Sequence, residues 1–154
     1  MSNHYQHWIQ EPYEISTDIT NFNIDDIHQF LSTVYWSEGI PKATLQQAIE
    51  NSLCFGLFEN QPIQKNQIGF ARVVTDKTTF AYLCDVYVLE AHRGKGLAKW
   101  LMQCLMEHPE LQGLRRFMLV TRDSHYLYHP FGFKLTAHPE RVMEIARPGI
   151  YKKQ

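Results

Sequence analysis

The 154-residue sequence has only three cysteines, and no run of apolar residues in it is long enough to cross a membrane. Cys54, Cys84 and Cys104 lie in apolar segments and form no C-x-x-C pair, so we expect reduced core thiols without disulfides or a zinc site. Residues 1–12 lack the basic and then apolar layout of a signal peptide. We therefore expect a cytoplasmic protein that has no membrane partner.

The sequence also lacks an excess of either charge, since its formal net charge is -1 and its pI is about 6.7. A nucleic-acid binder needs a broad basic face, and this balance argues against one. No repeat, low-complexity segment or linker divides the chain, and 44% of its residues are hydrophobic. We therefore predict a single domain over residues 1–154, with residues 1–12 loosely ordered.

Apolar periodicity predicts an α/β protein of the α+β type, in which helices flank a single mixed and mostly antiparallel sheet. The strand at 79–88 is the most continuously apolar and is expected at the centre of that sheet. The predicted order is β-αα-βββ-α-β-α-ββ. Its elements are a strand at 13–17, helices at 24–35 and 42–51, strands at 53–58, 67–75 and 79–88, a helix from 97 that stops before His108, a strand at 115–121, a short helix to Tyr128, and strands at 133–136 and 142–146.

A glycine turn separates this most apolar strand from the helix that follows it. Gly94 and Gly96 flank Lys95 at the junction, where backbone N–H groups can converge on an anion. The new helix adds unpaired N–H donors and the positive end of its dipole. Arg93, Lys95 and Lys99 supply cations in a chain of nearly neutral charge. The turn therefore predicts a local phosphate-binding site.

Two ordered motifs resemble the signatures of the GNAT superfamily of N-acyltransferases. The segment Arg93-Gly94-Lys95-Gly96-Leu97-Ala98 resembles the acyl-CoA pyrophosphate motif of that family. The segment from Asp123 to Phe133 is similar to its second signature, in which a tyrosine on the last helix precedes a Gly-Phe pair that enters a strand. The resemblance covers residues 13–146 and implies the GNAT fold, with acetyl-CoA as cofactor.

The resemblance implies direct transfer of an acetyl group to a primary amine within a ternary complex. Tyr128 matches the position of the general acid, and a phenol is a suitable proton donor to a departing thiolate. The main-chain N–H of Val86 is expected to bind the oxyanion. The implied cofactor-binding residues are Val86, Val88, Arg93, Gly94, Lys95, Gly96, Leu97, Ala98, Lys99 and Ser124.

The general base is the least defined part of this hypothesis, with Asp85 and Tyr82 as candidates. The superfamily often places a glutamate near the position of Tyr82, so the chain departs from that pattern. Asp85 either takes part in catalysis or is a buried carboxylate satisfied by an arginine or by backbone N–H groups. Strand alternation puts Asp85 and Val86 on opposite faces unless a bulge intervenes.

Tyr35 and Trp36 are candidates, with Tyr82, for the wall of the acceptor pocket, and core packing is the alternative for this pair. Arg122 is expected to be solvated or paired, or to reach the nucleotide phosphates. His125 and His129 are spaced i,i+4, as two metal ligands on one helix can be. No recognised pattern ties a third ligand to them, so we expect no metal site.

The expected acceptor is the amine of a small molecule or a peptide, and the sequence does not identify it. A second functional hypothesis is a catalytically silent module that binds acyl-CoA or a partner on the same fold. Tyr128 favours the enzyme, since a silent module needs no phenol at that position. Exposed strand edges also make a homodimer possible.

Overall fold

Six strands form one sheet whose spatial order follows the sequence in the computed structural model, which describes residues 5–152. The first five strands pair antiparallel, and the sixth runs parallel to the fifth. The prediction of a mixed and mostly antiparallel sheet is therefore confirmed. The strands are β1 (His7–Gln10), β2 (Tyr13–Ser16), β3 (Leu53–Asn60), β4 (Lys65–Thr75), β5 (Phe80–Val88) and β6 (Arg116–Leu119).

Helices pack on both faces of this sheet, and short 3-10 turns join several of the elements. On one face, α3 buries apolar side chains such as Leu101 and Leu105 against the sheet. On the other face, α1 and α2 bury Ile27 and Leu45. Each such side chain contributes about 1.5–3 kcal/mol. The helices are α1 (Ile24–Leu31), α2 (Lys42–Glu50), α3 (Leu97–Glu107) and α4 (His125–Tyr128).

The first helix is shorter than predicted, because it ends at Leu31 and not at residue 35. It begins as expected, since the Asn23 side chain accepts a hydrogen bond from the Asp26 N–H. At the other end, the hydroxyls of Ser32, Thr33 and Ser37 donate to carbonyls of the last turn. These side-chain hydrogen bonds take the place of the backbone hydrogen bonds that would continue the helix. Residues 32–39 consequently form a succession of turns that carries the aromatic pair 35–36.

The prediction that residues 1–12 are loosely ordered is wrong for residues 7–10, which form strand β1. This strand pairs with β2, with Trp8 opposite Ile15. The ring centroids of Trp8 and Phe55 lie 6.1 Å apart, so the indole is anchored on the core. The segment is too short and too polar for its alternation to show in the sequence. Residues 1–4 lie outside the described part of the chain.

The two predicted late strands, at 133–136 and 142–146, are absent from the sheet, and this prediction is wrong for the chain taken by itself. The apolar side chains that suggested them are largely exposed: Leu135 is 78% exposed, Met143 93% and Ile145 85%. Within residues 5–152 the observed order is therefore ββ-αα-βββ-α-β-α. The expected central position of 79–88 is also wrong, because β5 lies one strand from the edge.

The sheet opens where β5 leaves β6. The two strands pair only between Phe80–Leu83 and Arg116–Leu119 and then separate. Just beyond this point β5 also loses regular register with β4, since Arg72 lies opposite Cys84 whereas Phe70 lies opposite Tyr87. One residue of β4 thus faces two of β5, which defines a bulge and bends the strand. The separation creates a cleft at the carboxyl end of β5.

No helix within residues 5–152 has the length and apolar character needed to span a bilayer.

Candidate active site

A cavity of about 670 Å³ occupies the cleft between the diverging ends of β5 and β6. It is bounded by the end of β5, the glycine turn, the start of α3, the segment that leads into α4, and the turns that follow α1. Its lining includes twelve of the predicted site residues: Tyr35, Trp36, Val86, Val88, Arg93, Gly94, Gly96, Leu97, Ala98, Lys99, Ser124 and Tyr128.

The glycine turn presents backbone to this cavity without side-chain obstruction. Gly94 and Gly96 have φ of +80° and +76°, a left-handed conformation that other residues adopt only with strain. Apart from the residues next to each glycine, no atom within residues 5–152 lies within 4 Å of the position where a Cβ would stand on Gly94 or Gly96. Gly96 caps α3, so the first amides of that helix lack intrahelical acceptors. The geometry suits an anionic ligand such as a pyrophosphate.

The three cations near the turn do not all face the cavity. Lys99 and Arg93 line it, and the Nε of Arg93 also donates to the Val88 carbonyl at 2.8 Å. This bond ties the turn to the end of β5. Lys95 is not part of the lining, and its Nζ lies 3.4 Å from the Tyr13 hydroxyl. Its role in cofactor binding stays a prediction.

The bulge in β5 determines how the side chains of Asp85 and Val86 are oriented. Asp85 has a φ of +54°. Asp85 and Val86 of β5 together lie opposite a single residue of β4, Ala71. Alternation is broken at this point. Val86 therefore lines the cavity while the Asp85 side chain packs elsewhere. A main-chain N–H released from regular pairing at a bulge is available to a ligand.

The Asp85 carboxylate is already fully engaged within the protein. One oxygen accepts a hydrogen bond from the Arg72 Nε at 2.8 Å, and the other accepts one from the Trp36 Nε1 at 2.9 Å. The Asp85 side chain is only 9% exposed and that of Arg72 19%. Arg72 also donates to the Ser52 hydroxyl. This arrangement matches the structural alternative for Asp85, a buried carboxylate satisfied by an arginine.

Tyr82, the other candidate base, is not among the residues that line the cavity. It is half-buried on β5, where it pairs with Val74 and Met118 on the neighbouring strands. Burial raises the pKa of its hydroxyl, and the nearby Cys84 and Asp85 raise it further. A phenol with a raised pKa holds its proton at neutral pH, which makes it a poor base. Its predicted contact with the substrate remains untested.

Aromatic side chains from the turns after α1 form part of the cavity lining. The rings of Tyr35 and Trp36 contact edge to face, with centroids 5.1 Å apart. Both are partly exposed, and the bond to Asp85 fixes the Trp36 indole. The guanidinium of Arg122 lies 4.0 Å from the Tyr35 centroid, a cation–π contact that bridges the cleft. Phe30 and Tyr87 also line the cavity, and their rings stack with centroids 3.9 Å apart.

Tyr128 lies on α4 at the inner end of the cavity and is 9% exposed. Its ring meets that of Phe133 edge to face at 6.1 Å. No group within residues 5–152 forms a hydrogen bond with its hydroxyl. Burial raises the pKa of Tyr128 to about 12, with a smaller contribution from Tyr126. The phenol therefore stays protonated at neutral pH, as a general acid must before it acts.

Burial favours the protonated form of all three cysteine thiols. Burial raises the pKa of Cys84 to about 12, and Asp85 adds to that effect while Arg72 partly opposes it. Burial likewise raises the pKa of Cys104 to about 12 and that of Cys54 well above its ordinary value. A thiol that is not ionised is a weak nucleophile, so the site favours a route without an acyl-cysteine.

Two arginines make contacts at the site that the sequence did not predict. Arg72 is the only charged residue in the apolar run from Ile68 to Val74, which is a signal for a buried ion pair, although the sequence does not show its partner. Arg122 and Tyr35 are 87 positions apart in the sequence, so no local sequence pattern indicates their contact. Within residues 5–152, no three His, Cys, Asp or Glu side chains cluster in a way that would hold a metal ion.

Comparison with known proteins agrees with this geometry. Residues 10–133 match the acetyltransferase (GNAT) family. A protein of Gibberella zeae that is named as an acetyltransferase is 37% identical over 142 residues, which cover 80% of this chain and 79% of the relative. The chain belongs to the GNAT family of acetyltransferases.

Solved structures of GNAT-type proteins share its fold. A GNAT-family protein from Xanthomonas campestris aligns with a TM-score of 0.87 at 47% identity, covering 92% of this chain and 97% of that one. An acetyltransferase from Clostridium acetobutylicum, solved with acetyl-CoA, aligns with a TM-score of 0.56 at 17% identity over 87% of this chain and 94% of that one. The latter likeness concerns the fold alone.

The ion pair at the bulge predicts that Asp85→Asn will lower stability. The change preserves side-chain volume and tolerance of positive φ, but it leaves the Arg72 guanidinium buried without a counter-charge. We expect a loss of about 3 kcal/mol in the free energy of unfolding, measured in urea.

Asp123→Asn is the matched control, because that carboxylate is 71% exposed and lies 3.8 Å from Arg122. It should change stability little. If Asp85→Asn kept full stability but lost turnover per folded molecule, Asp85 would be a catalytic base and not a structural anchor.

Proposed function

We propose that this protein transfers an acetyl group from acetyl-CoA directly to the primary amine of a small molecule or peptide, in a ternary complex. One observation carries the proposal: a single cavity joins the phosphate-binding turn, the bulge in β5 and the buried phenol of Tyr128. Membership of the GNAT family supports an acyltransferase. The acetyl-CoA bound to the Clostridium acetobutylicum protein supports the choice of cofactor.

In this proposal the amides from Gly94 to Ala98 bind the pyrophosphate of the cofactor, because the Arg93 N–H already donates to the Glu90 carbonyl at 3.2 Å. The side chains of Arg93 and Lys99 add positive charge beside it. Ser124 and its neighbours form the facing wall, where the Ser124 N–H is already held by the Thr121 hydroxyl at 2.9 Å. The end of β5 is left for the pantetheine arm, which pairs with backbone groups near Val86 and Val88. Acetyl-CoA supplies the activated thioester.

In this proposal the Val86 N–H at the bulge donates a hydrogen bond to the thioester carbonyl and so stabilises the negative charge that develops on the oxygen. The attacking amine enters past Tyr35 and Trp36. Tyr128 then gives its proton to the departing thiolate. Asp85 acts as a positioning residue, because it holds Trp36 and the bulge in place, and a water at the mouth of the cavity accepts the proton of the amine.

The phosphate-binding role of the turn predicts that Gly96→Glu will abolish binding of acetyl-CoA. A glutamate there adds strain at positive φ, fills the open approach to the backbone and repels the pyrophosphate. We expect micromolar affinity for the natural sequence and at least about 100-fold weaker binding for the variant, measured by calorimetry.

Gly113→Glu is the matched control, since Gly113 also has a positive φ, of +68°, also has no atom within 4 Å of a Cβ position, and lies outside the cavity. It should bind acetyl-CoA normally. Equal binding by the Gly96→Glu variant would refute the phosphate assignment.

The acid role of Tyr128 predicts that Tyr128→Phe will lower turnover by about two to four orders of magnitude while cofactor affinity and folding change little. Release of free thiol at saturating acetyl-CoA is the measurement, with a panel of amines. Tyr126→Phe is the control, because Tyr126 lies on the same helix and lines the same cavity but is 78% exposed. It should retain turnover.

The pH profile supplies a second readout of Tyr128. A general acid works only while it is protonated, so its contribution is lost as pH rises through its pKa. Because burial raises the pKa of Tyr128 to about 12, the rate should not fall on the alkaline side below about pH 10. Unchanged turnover in Tyr128→Phe would remove Tyr128 from the mechanism. Natural protein that bound acetyl-CoA but acetylated no amine would favour the silent module.

A further inference from the structure

Arg122 lines the active-site cavity but takes no part in the proposed mechanism. It lies between β6 and α4, and its guanidinium carbon is 4.0 Å from the centroid of the Tyr35 ring. Within residues 5–152 its guanidinium donates no hydrogen bond, and a carboxylate oxygen of Asp123 lies 3.8 Å from its Nε. That separation is too long for a hydrogen bond, and both side chains are mostly exposed. The N–H groups of Arg122 are therefore available to a ligand.

The contact with Tyr35 prepares the Arg122 guanidinium to bind an anion. A cation–π contact orders the side chain without using its N–H donors. The guanidinium keeps the planar fork that binds a carboxylate or a phosphate in bidentate fashion. Because the fork is already held against the ring, less conformational entropy is lost when it binds.

A short series of contacts connects Arg122 to the bulge in β5. The Tyr35 ring meets that of Trp36 edge to face at 5.1 Å. The Trp36 Nε1 donates to the Asp85 carboxylate at 2.9 Å, and Asp85 directly precedes Val86 in the bulge. Arg122 therefore contacts the aromatic pair past which the amine enters in the proposed mechanism.

The other permanent cations of the cavity lie beside the phosphate-binding turn. Arg93 belongs to that turn, and Lys99 lies in the first turn of α3. Arg122 comes from a different segment of the chain. Among residues 5–152, Asp123 is the one carboxylate that lines the cavity, and its side chain is 71% exposed. An acceptor thus meets more positive than negative charge, which attracts an anionic group and repels a second ammonium.

We propose that Arg122 is a specificity-determining residue that binds an anionic group of the acceptor, so that the preferred substrate is an amine with a carboxylate or phosphate attached. This inference rests on the proposed function, since it concerns the second substrate of that reaction. Arg122 holds the anion while Tyr35 and Trp36 contact the linker between the two groups. The amine at the other end is then directed toward the thioester at the bulge.

Matched acceptors that differ only in their terminal group test this charge preference. The set consists of straight-chain amines of graded length that end in a carboxylate, a phosphate, a methyl group or a second amine. The measurement is kcat/KM at saturating acetyl-CoA. We expect the natural protein to prefer an anionic acceptor over its methyl-terminated analogue by at least about tenfold, and the diamines to be the poorest. Comparison of the carboxylate and phosphate series identifies the anion.

Substitutions of Arg122 assign this preference to its charge. Arg122→Gln should remove the preference for anionic acceptors, and Arg122→Glu should reverse it in favour of the diamines. Damage to the fold would lower the rates of all acceptors together and would not invert their order. Arg116→Gln is the matched control, because Arg116 is an exposed arginine of β6 that does not line the cavity. It should keep the preference of the natural protein.

The affinity for acetyl-CoA, measured by calorimetry, separates this role from a contact with the cofactor phosphates. Arg122→Gln should bind acetyl-CoA within about threefold of the natural protein. Weaker binding of acetyl-CoA together with an unchanged order of acceptors would overturn the proposal, because Arg122 would then hold the cofactor. Equal kcat/KM for the anionic and methyl-terminated acceptors in the natural protein would also overturn it.

A binding measurement keeps this inference separate from catalysis. In NMR spectra of the CoA-bound protein, the Arg122 Nε–H signal should shift when an anionic acceptor is added, and not with its methyl-terminated analogue. This shift in a protein that acetylates no amine would refute the proposed function and retain the anion site. Acetylation of amines without the shift would refute the anion site and leave the proposed function intact.

Discussion

The buried ion pair between Arg72 and Asp85 holds the bulge on which the cavity depends. It ties β4 to β5 at the point where β5 loses regular register, and it fixes a residue whose φ is +54°. The same carboxylate holds the Trp36 indole over the cavity. Without the bulge, strand alternation would continue and Val86 would pair as an ordinary ladder residue. The Val86 main chain and the Trp36 side of the cavity thus depend on the same ion pair.

The parts of the site that depend on local geometry were predictable from the sequence. A Gly-Lys-Gly turn between a strand and a helix needs only positive φ and a free helix terminus, and Gly94 and Gly96 show both. Tyr128 was predicted from the resemblance of residues 123–133 to the second GNAT signature, and its side chain lines the same cavity as the two glycines. The engagement of Asp85 was open in the sequence, since its partners Arg72 and Trp36 are 13 and 49 positions away. The sequence alone does not show which residues pair when they are so far apart along the chain.

Two of the errors in the predicted fold lie at the edges of the sheet. Alternation of apolar and polar residues indicates which side chains are buried, but it does not indicate which surface buries them. Residues 7–10 have little alternation and yet are held as a strand by β2 and by the contact of Trp8 with Phe55. Residues 142–146 have clear apolar character and yet join no strand of their own chain.

We propose that one cavity holds the phosphates of acetyl-CoA at the glycine turn and its thioester carbonyl at the bulge. Backbone amide shifts in NMR spectra, compared between acetyl-CoA and free CoA in the absence of an acceptor, test it most directly. The two ligands share the pyrophosphate and differ by the acetyl group. We predict that both ligands will shift the amides of Gly94 and Gly96, and that acetyl-CoA alone will produce a further shift at Val86. Equal shifts at Val86 with both ligands, or none at the glycines, would contradict the account.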